Sequence, residues 1–332
     1  MNLELPEIAV TFGQTAEQAL TRAGGIGLAR RAEVQPETRG EVAALLERLG
    51  ALDVDVSDDL DTAAAGAELC RVAGRCALPY PIAGVLAANH DGTGDVRPVA
   101  IVNPALPRAD HGDLFARWRL VTIDGAVWDG RPDGGPLGTE LGPFVVDMRA
   151  VPEPGLPGAE SPEGGSSTGA EPVDMSMPLT LGAWTILGTL ERALELTVDH
   201  VIMRHQFGGA LARFQAVQFQ VADATVAVRS LRELARFTLW RRWAAPPDRL
   251  VDALALRMQA LESAHSVLRT CHQLHGAIGF CDEHDLSILA RHVQPLLRLQ
   301  PGVEATTERL QAAIDDTGFE SLFPWRPERS GT

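Results

Sequence analysis

The feature that most constrains this chain is the long helical period of its second half. From Met175 to about Ala313, four segments carry apolar residues at helical spacing: Leu179–Met203, Phe214–Trp243, Leu250–Ala277 and Leu286–Leu299. Pro246 and Pro247 separate the second from the third, and Gly276 and Gly279 the third from the fourth. Helices of this length joined by short breaks pack side by side, which predicts a four-helix bundle over 175–318 and a tail over 319–332.

The first half reads differently. Over 1–90 the helical pieces are shorter: Gln14–Ala23, then Glu41–Leu49 with Val42, Leu45, Leu46 and Leu49 on one face. A helix follows Asp59 behind the cap Ser57-Asp58-Asp59, and Ile82–Ala88 comes after the stop at Pro79 and Pro81. Over 91–150 the pattern turns to short strands, Val96–Val102, Trp118–Ile123, Ala126–Trp128 and Phe144–Met148, with Asp124-Gly125 as a hairpin turn. Too few residues are present for a large barrel, so a reduced β domain is expected. Val151–Pro172 holds five Pro and five Gly and no basic residue, which predicts a flexible loop over 151–174. The fold class is mainly α with a small β domain.

Charge narrows the function. All 29 basic residues are arginine, against 44 acidic ones, for a net charge of −15. That excludes sequence-independent binding to phosphate backbones and disfavours an anionic membrane surface, so neither nucleic acid nor membrane is expected as a partner. A few converging arginines can still hold a small phosphate. No apolar run approaches the ~20 residues of a membrane helix, and Met1–Pro6 carries Glu4 with no basic region, unlike a secretory leader. Cys70, Cys76, Cys271 and Cys281 fit no zinc spacing; Cys70 and Cys76 flank an apolar helix end and read as buried free thiols, which points to a reducing cytoplasm. His200, His205, His272, His275 and His292 form no metal set, and no metal is expected.

Two stretches carry candidate chemistry. Arg204-His205-Gln206-Phe207-Gly208 closes the first bundle helix, and Phe214-Gln215-Ala216-Val217-Gln218 opens the next. An arginine at such a corner offers a planar fork to a phosphate or carboxylate, Phe207 offers a ring, and Gln215 an amide. The competing reading is a helical hairpin whose arginine caps the negative helix end. Gln273-Leu274-His275-Gly276-Ala277-Ile278-Gly279 ends the third segment with residues small enough for close ligand approach, or with an ordinary glycine C-cap.

These stretches, with Arg192, Ala193, His200, Asp223, Glu283 and Arg291, resemble the C-terminal bundle of acyl-CoA dehydrogenases in order and spacing over about 120 residues. Leu78-Pro79-Tyr80-Pro81 is similar to a turn in that family's N-terminal helical domain. The resemblance implies a helical–β–helical flavoprotein with FAD, in which a glutamate takes the α proton of an acyl-CoA and the flavin accepts the β hydride. It implies Arg204 at the FAD diphosphate of a neighbouring subunit, with Gln206, Phe207 and Gln215 beside the cofactor. Gln273 and Gly276 would lie along its adenosine–diphosphate part.

Three departures shape what is expected. The family's Glu-Gly-Thr base position falls on Gln300-Pro301-Gly302, and an alternative base position falls on Pro178-Leu179. An amide cannot take a proton at neutral pH, so no catalytic residue is assigned. Asp282, Glu283 and Asp285 are the nearest other carboxylates, with Asp285 read as a helix N-cap. No convincing copy of the family's flavin-ring strands occurs in Val96–Ala150.

The resemblance is to a short subunit of the heteromeric α2β2 actinobacterial steroid-degrading type. It implies a paralogous catalytic partner, an acyl-CoA substrate at the complex and an electron-transfer acceptor. A self-sufficient homo-oligomer with a displaced base and a flavin-free scaffold are the alternatives. Val217, Phe219, Val221 and Val226, with Trp184, Trp240 and Trp243, are expected to make the bundle an assembly surface.

Overall fold

The protein is seen as a computed structural model describing residues 3–88, 96–138, 140–151, 173–244 and 249–317. The expected tail, the Pro246-Pro247 break and most of the expected 151–174 loop lie outside the described residues.

Five helices come first: α1 Glu7–Ala23, α2 Ile26–Val34, α3 Thr38–Arg48, α4 Leu60–Arg75 and α5 Ile82–Leu86. The Asp59 cap forms as expected, its carboxylate accepting from the Thr62 amide at 2.8 Å while the Thr62 hydroxyl accepts from the Asp59 amide at 3.2 Å. Helix α2 is not legible in the sequence, because Gly24 and Gly25 in front of it read as loop. Both glycines take positive φ and turn the chain sharply, and Leu28, Ala29 and Ala32 of the new helix are then buried.

A five-stranded sheet follows: β1 Val99–Ile101, β2 Arg108–Asp110, β3 Trp118–Val121, β4 Val127–Pro132 and β5 Val145–Ala150. Its order is β1-β3-β4-β5-β2, with β1 parallel to β3 and the other pairs antiparallel. The turn at Asp124-Gly125 closes as expected, Gly125 at φ 93° donating to the Thr122 carbonyl. Strand β2 went unread, since only Ala109 of its three residues is buried. It exists by pairing with β5 and brings Asp110 and His111 to the centre of the molecule.

The bundle comprises α6 Ser176–Met203, α7 Gln215–Ala244 and α8 Arg249–His275. The expected fourth helix is corrected. Leu286–Leu299 is broken into α9 Asp285–His292 and α10 Gln294–Arg298, and α11 Val303–Thr317 packs along α8 in its place. Pro295 explains the break, because it lacks the N–H that a continuous helix needs. The N-cap of α9 is also corrected: His284 Nδ1 accepts from the Leu286 amide, while Asp285 pairs with Arg30 at 3.0 Å.

The first half docks where α4 crosses α6. A methyl group on Gly74 would collide with the Thr185 carbonyl, and one on Gly188 with the Arg71 carbonyl, so glycine permits backbone contact at both points. The Thr189 hydroxyl donates to the Gly74 carbonyl at 3.1 Å. Buried Glu191 accepts from Arg71, Arg75 and Arg232 around the crossing, binding α4, α6 and α7 together. Trp184 is fully enclosed within the chain's own core, which corrects its expected part in an assembly surface. Phe219 and Val226 remain 60% and 63% exposed on α7.

Candidate functional site

Chemistry concentrates at two places, an exposed corner of the bundle and an internal cleft. The corner begins where α6 ends. Arg204 leaves the helix at φ −81°, ψ 119°, its amide bonded to the His200 carbonyl. A two-residue hairpin follows, β6 His205–Gln206 against β7 Gly209–Ala210. Phe207 at φ 52° and Gly208 at φ 85° form its tip. Positive φ at both central residues suits a hairpin's twist, but for phenylalanine it is a strained conformation. Phe207 is nonetheless 88% exposed, its ring edge-on to that of Phe214 with centroids 6.2 Å apart.

All six residues singled out in the sequence are exposed: Arg204, Gln206, Phe207 and Gln215 at the hairpin and the start of α7, Gln273 and Gly276 at the end of α8. No carboxylate among the described residues pairs with Arg204. Gly276 sits at φ 64°, and a methyl group built on it would meet nothing within 4 Å. Ile202, Met203, Ile278 and Phe280 add exposed apolar surface on the flanking turns.

Histidines that the sequence left separate are stacked behind this corner. His200 lies on His275 at 4.4 Å, His275 meets His284 at 4.8 Å, and His272 lies on Phe280 at 4.4 Å. Burial pulls the His275 imidazole down to about 4. Their value in the sequence was hidden because stacking joins residues from α6, α8 and the turn before α9.

The cleft lies between the turn after α4, the sheet and the bundle. Pro178 and Gln300, the two positions examined for a base, both line it. The structure thus brings the two positions to one place, with no carboxylate at either. Buried Arg257 fixes the Gln300 segment by donating to the carbonyls of Leu296 at 2.8 Å and Pro301 at 3.0 Å. Burial lowers the Arg257 guanidinium to about 10. Leu78, Tyr80 and Pro81 of the Leu-Pro-Tyr-Pro turn form the opposite wall.

Sequence reasoning missed the polar end of the cleft, Asp110, His111 and His292. His111 is a buried non-glycine residue at φ 55°, held by its backbone N–H donating to the Phe144 carbonyl and by stacking on the Phe144 ring at 4.8 Å. Arg39 lies over the same ring and grips Asp113 through two bonds of 2.7 and 2.6 Å. Burial pushes the Asp110 carboxyl up to about 7, with the His111 amide and Arg39 opposing. His292 bonds Glu33 at 2.8 Å. Burial raises Glu33, but hydrogen bonds from His292 and Arg291 outweigh it and hold that carboxyl at about 2. Cys70 and Cys76 are buried as expected, and burial pushes the Cys70 thiol up to about 12; Cys271 is buried as well, and Cys281 is exposed.

A helical layer, a small sheet and a long-helix bundle with a hairpin corner define the acyl-CoA dehydrogenase class of fold. Residues 180–304 match the acyl-CoA dehydrogenase C-terminal domain, so the chain carries that domain. The ChsE4–ChsE5 complex from Mycobacterium tuberculosis superposes with a TM-score of 0.69 at 17% identity, covering 96% of this chain and 100% of that one. In sequence, the chain is 33% identical over 107 residues to (R)-benzylsuccinyl-CoA dehydrogenase of Thauera aromatica, which is 32% of this chain and 26% of the relative. It is 32% identical over 125 residues to the acyl-CoA dehydrogenase FadE28 of Mycobacterium tuberculosis, 38% and 37% of the two chains. The chain therefore matches about a quarter to two fifths of these relatives' length. The FAD complex of PigA also shares the fold, with a TM-score of 0.63 at 13% identity, covering 95% of this chain and 99% of that one. No helix among the described residues is long and apolar enough to cross a membrane.

Proposed function

We propose that this chain is a non-catalytic subunit of a heteromeric FAD-dependent acyl-CoA dehydrogenase. It completes the FAD site of a paralogous catalytic partner in a cytoplasmic α2β2 assembly, which dehydrogenates a steroid-derived CoA thioester between Cα and Cβ and passes electrons to a separate acceptor. The observation that carries the reading is a separation. Six ligand-suited residues stand on an exposed corner, whereas the chain's own cleft has Pro178 and Gln300 where a base is needed. The fold shared with the ChsE4–ChsE5 complex and with a two-component steroid dehydrogenase (TM-score 0.66, 19% identical) supports a heteromer.

The corner fits the cofactor of a neighbour. Arg204 has no carboxylate partner among the described residues and is suited to a diphosphate through its fork. Phe207 is held out on a strained turn with no packing role that would explain it. Gly276 leaves its backbone open to close approach. FAD supplies the hydride acceptor when bound; this chain's residues bind and orient it and bury its diphosphate end.

Purification alone and with a co-expressed paralogue tests the proposal. A yellow α2β2 species formed only with the partner is the expected result. A yellow homo-oligomer with turnover would instead establish a self-sufficient enzyme with a displaced base, and a colourless protein in both cases would leave a flavin-free scaffold.

A further inference from the structure

Neither family base position in the cleft carries a carboxylate, yet apolar side chains have not filled it. Three polar atoms at it have no hydrogen-bond partner among the described residues: Asp110 Oδ1, His111 Nδ1 and Gln300 Oε1. Native interiors pair nearly all such atoms, so three at one cleft require an explanation. Each acts as an acceptor. Above about pH 7 the Asp110 carboxylate accepts only, and the amide carbonyl accepts at any pH. His111 Nε2 faces Asp110 Oδ2 at 3.6 Å, which favours the proton on Nε2 and leaves a lone pair on Nδ1.

His111 is the best-fixed of the three. Its side chain is 3% exposed, and its left-handed backbone is locked by the Phe144 carbonyl and ring. Its imidazole stacks on the Phe144 ring, but Nδ1 has no partner among the described residues. Burial, with Arg39 and His292 nearby, holds the ring well below its ordinary pKa and therefore neutral. The surrounding walls are apolar, formed by Leu78, Ile101, Trp118, Val293 and Leu296.

The geometry points to a ligand site in this subunit's own cleft, taking an apolar molecule whose hydroxyl or amide N–H donors are received by Asp110, His111 and Gln300. An apolar body matches the walls, and donors complete the three acceptors. A free carboxylate or phosphate would meet only acceptors and is rejected. The site is independent of the partner's FAD, because none of its residues belongs to the Arg204 corner.

At pH 8.5, where Asp110 is ionised, the test measures binding of 4-tert-butylcyclohexanol and its methyl ether, which differ by one donor. The protein is the full chain, in complex with its partner where the two purify together. The wild type is expected to bind the alcohol about tenfold more tightly than the ether, the effect of one hydrogen bond to a charged group. In Asp110→Leu that preference should fall to about twofold or less. Gln300→Leu should reduce it as well, and serves by itself if Asp110→Leu does not fold. Equal binding of alcohol and ether, binding of neither, or a preference that survives both variants overturns the proposal. FAD retention is recorded in parallel: its loss from the wild-type complex counts against the half-site reading only, whereas loss of alcohol preference with full FAD retention isolates the cleft.

Discussion

Asp110→Asn should make this protein more stable, and the gain should depend on pH. The Asp110 carboxyl lies at about 7 in the folded chain because it is buried, whereas an unfolded aspartate titrates near 4. The folded state thus holds the proton more tightly, and stability falls as pH rises from about 4 to about 7. At about 1.4 kcal/mol per pH unit the full penalty above pH 7 is at most about 4 kcal/mol. The side chain keeps 29% exposure, and asparagine still leaves a polar atom unpartnered, so a gain of roughly 2 kcal/mol is expected near pH 8. For a chain of 332 residues that corresponds to a Tm rise of roughly 3 °C. Near pH 5.5 about half of the gain should remain, a condition still clear of the pI near 5.0. Thermal unfolding of both proteins at the two pH values provides the measurement. A gain that does not change with pH, or a loss near pH 8, would refute the assignment of a desolvated carboxyl.

Other perturbations address the remaining assignments. Arg204→Ala should leave assembly of the complex intact and lower its FAD affinity roughly ten- to a hundredfold, with lysine rescuing only in part; unchanged flavin retention after gel filtration would remove the assignment. Gln300→Glu should yield no acyl-CoA-dependent flavin reduction in the isolated chain, and bleaching at the flavin band would contradict that. Gly188→Ala should cost about 1–3 kcal/mol or more, read as a lowered Tm, since the Arg71 carbonyl occupies the space a methyl group needs; an unchanged Tm would show that the α4–α6 crossing relaxes freely. Acidification below about pH 6.5 should destabilise the histidine stack, because an imidazole held at about 4 must accept its proton outside the folded environment; a His275→Phe variant should lose this part of the acid sensitivity.

Legibility in the sequence followed the range of the forces involved. Helices α4, α6, α7 and α8 were readable because their patterns are long and their caps local, as in the Asp59–Thr62 box. Strand β2 and helix α2 were not, because each exists through a partner distant in sequence, β5 for the one and the α9 region for the other. The fourth bundle helix was misplaced for a similar reason. Leu286–Leu299 has a helical period, but Pro295 interrupts it and α11 takes the side of α8. The corner residues were singled out through contiguous motifs. The cleft's polar end was invisible, since Ala109 is the only buried residue of β2 and nothing in Arg-Ala-Asp-His announces a buried acid.

The two places also differ in what maintains them. Both hold a non-glycine residue at positive φ, Phe207 at 52° and His111 at 55°, and such strain persists only where surroundings fix it. For His111 the surroundings lie within this chain: the Phe144 carbonyl, the Phe144 ring and the Arg39 guanidinium behind it. For Phe207 they do not, since a ring 88% exposed beside a single neighbouring aromatic gains little from that position. The hairpin's backbone bonds fix its shape, but only a surface supplied from outside would make the exposed ring favourable. A glycine at position 207 should therefore leave the isolated chain as stable as before or slightly more so, because it relieves the positive φ at little packing cost. The same change should weaken assembly with the partner or its retention of FAD. If Phe207→Gly instead lowered the Tm of the isolated chain by several degrees, the ring would have a structural role within the subunit, and the argument for an external surface at this corner would fail.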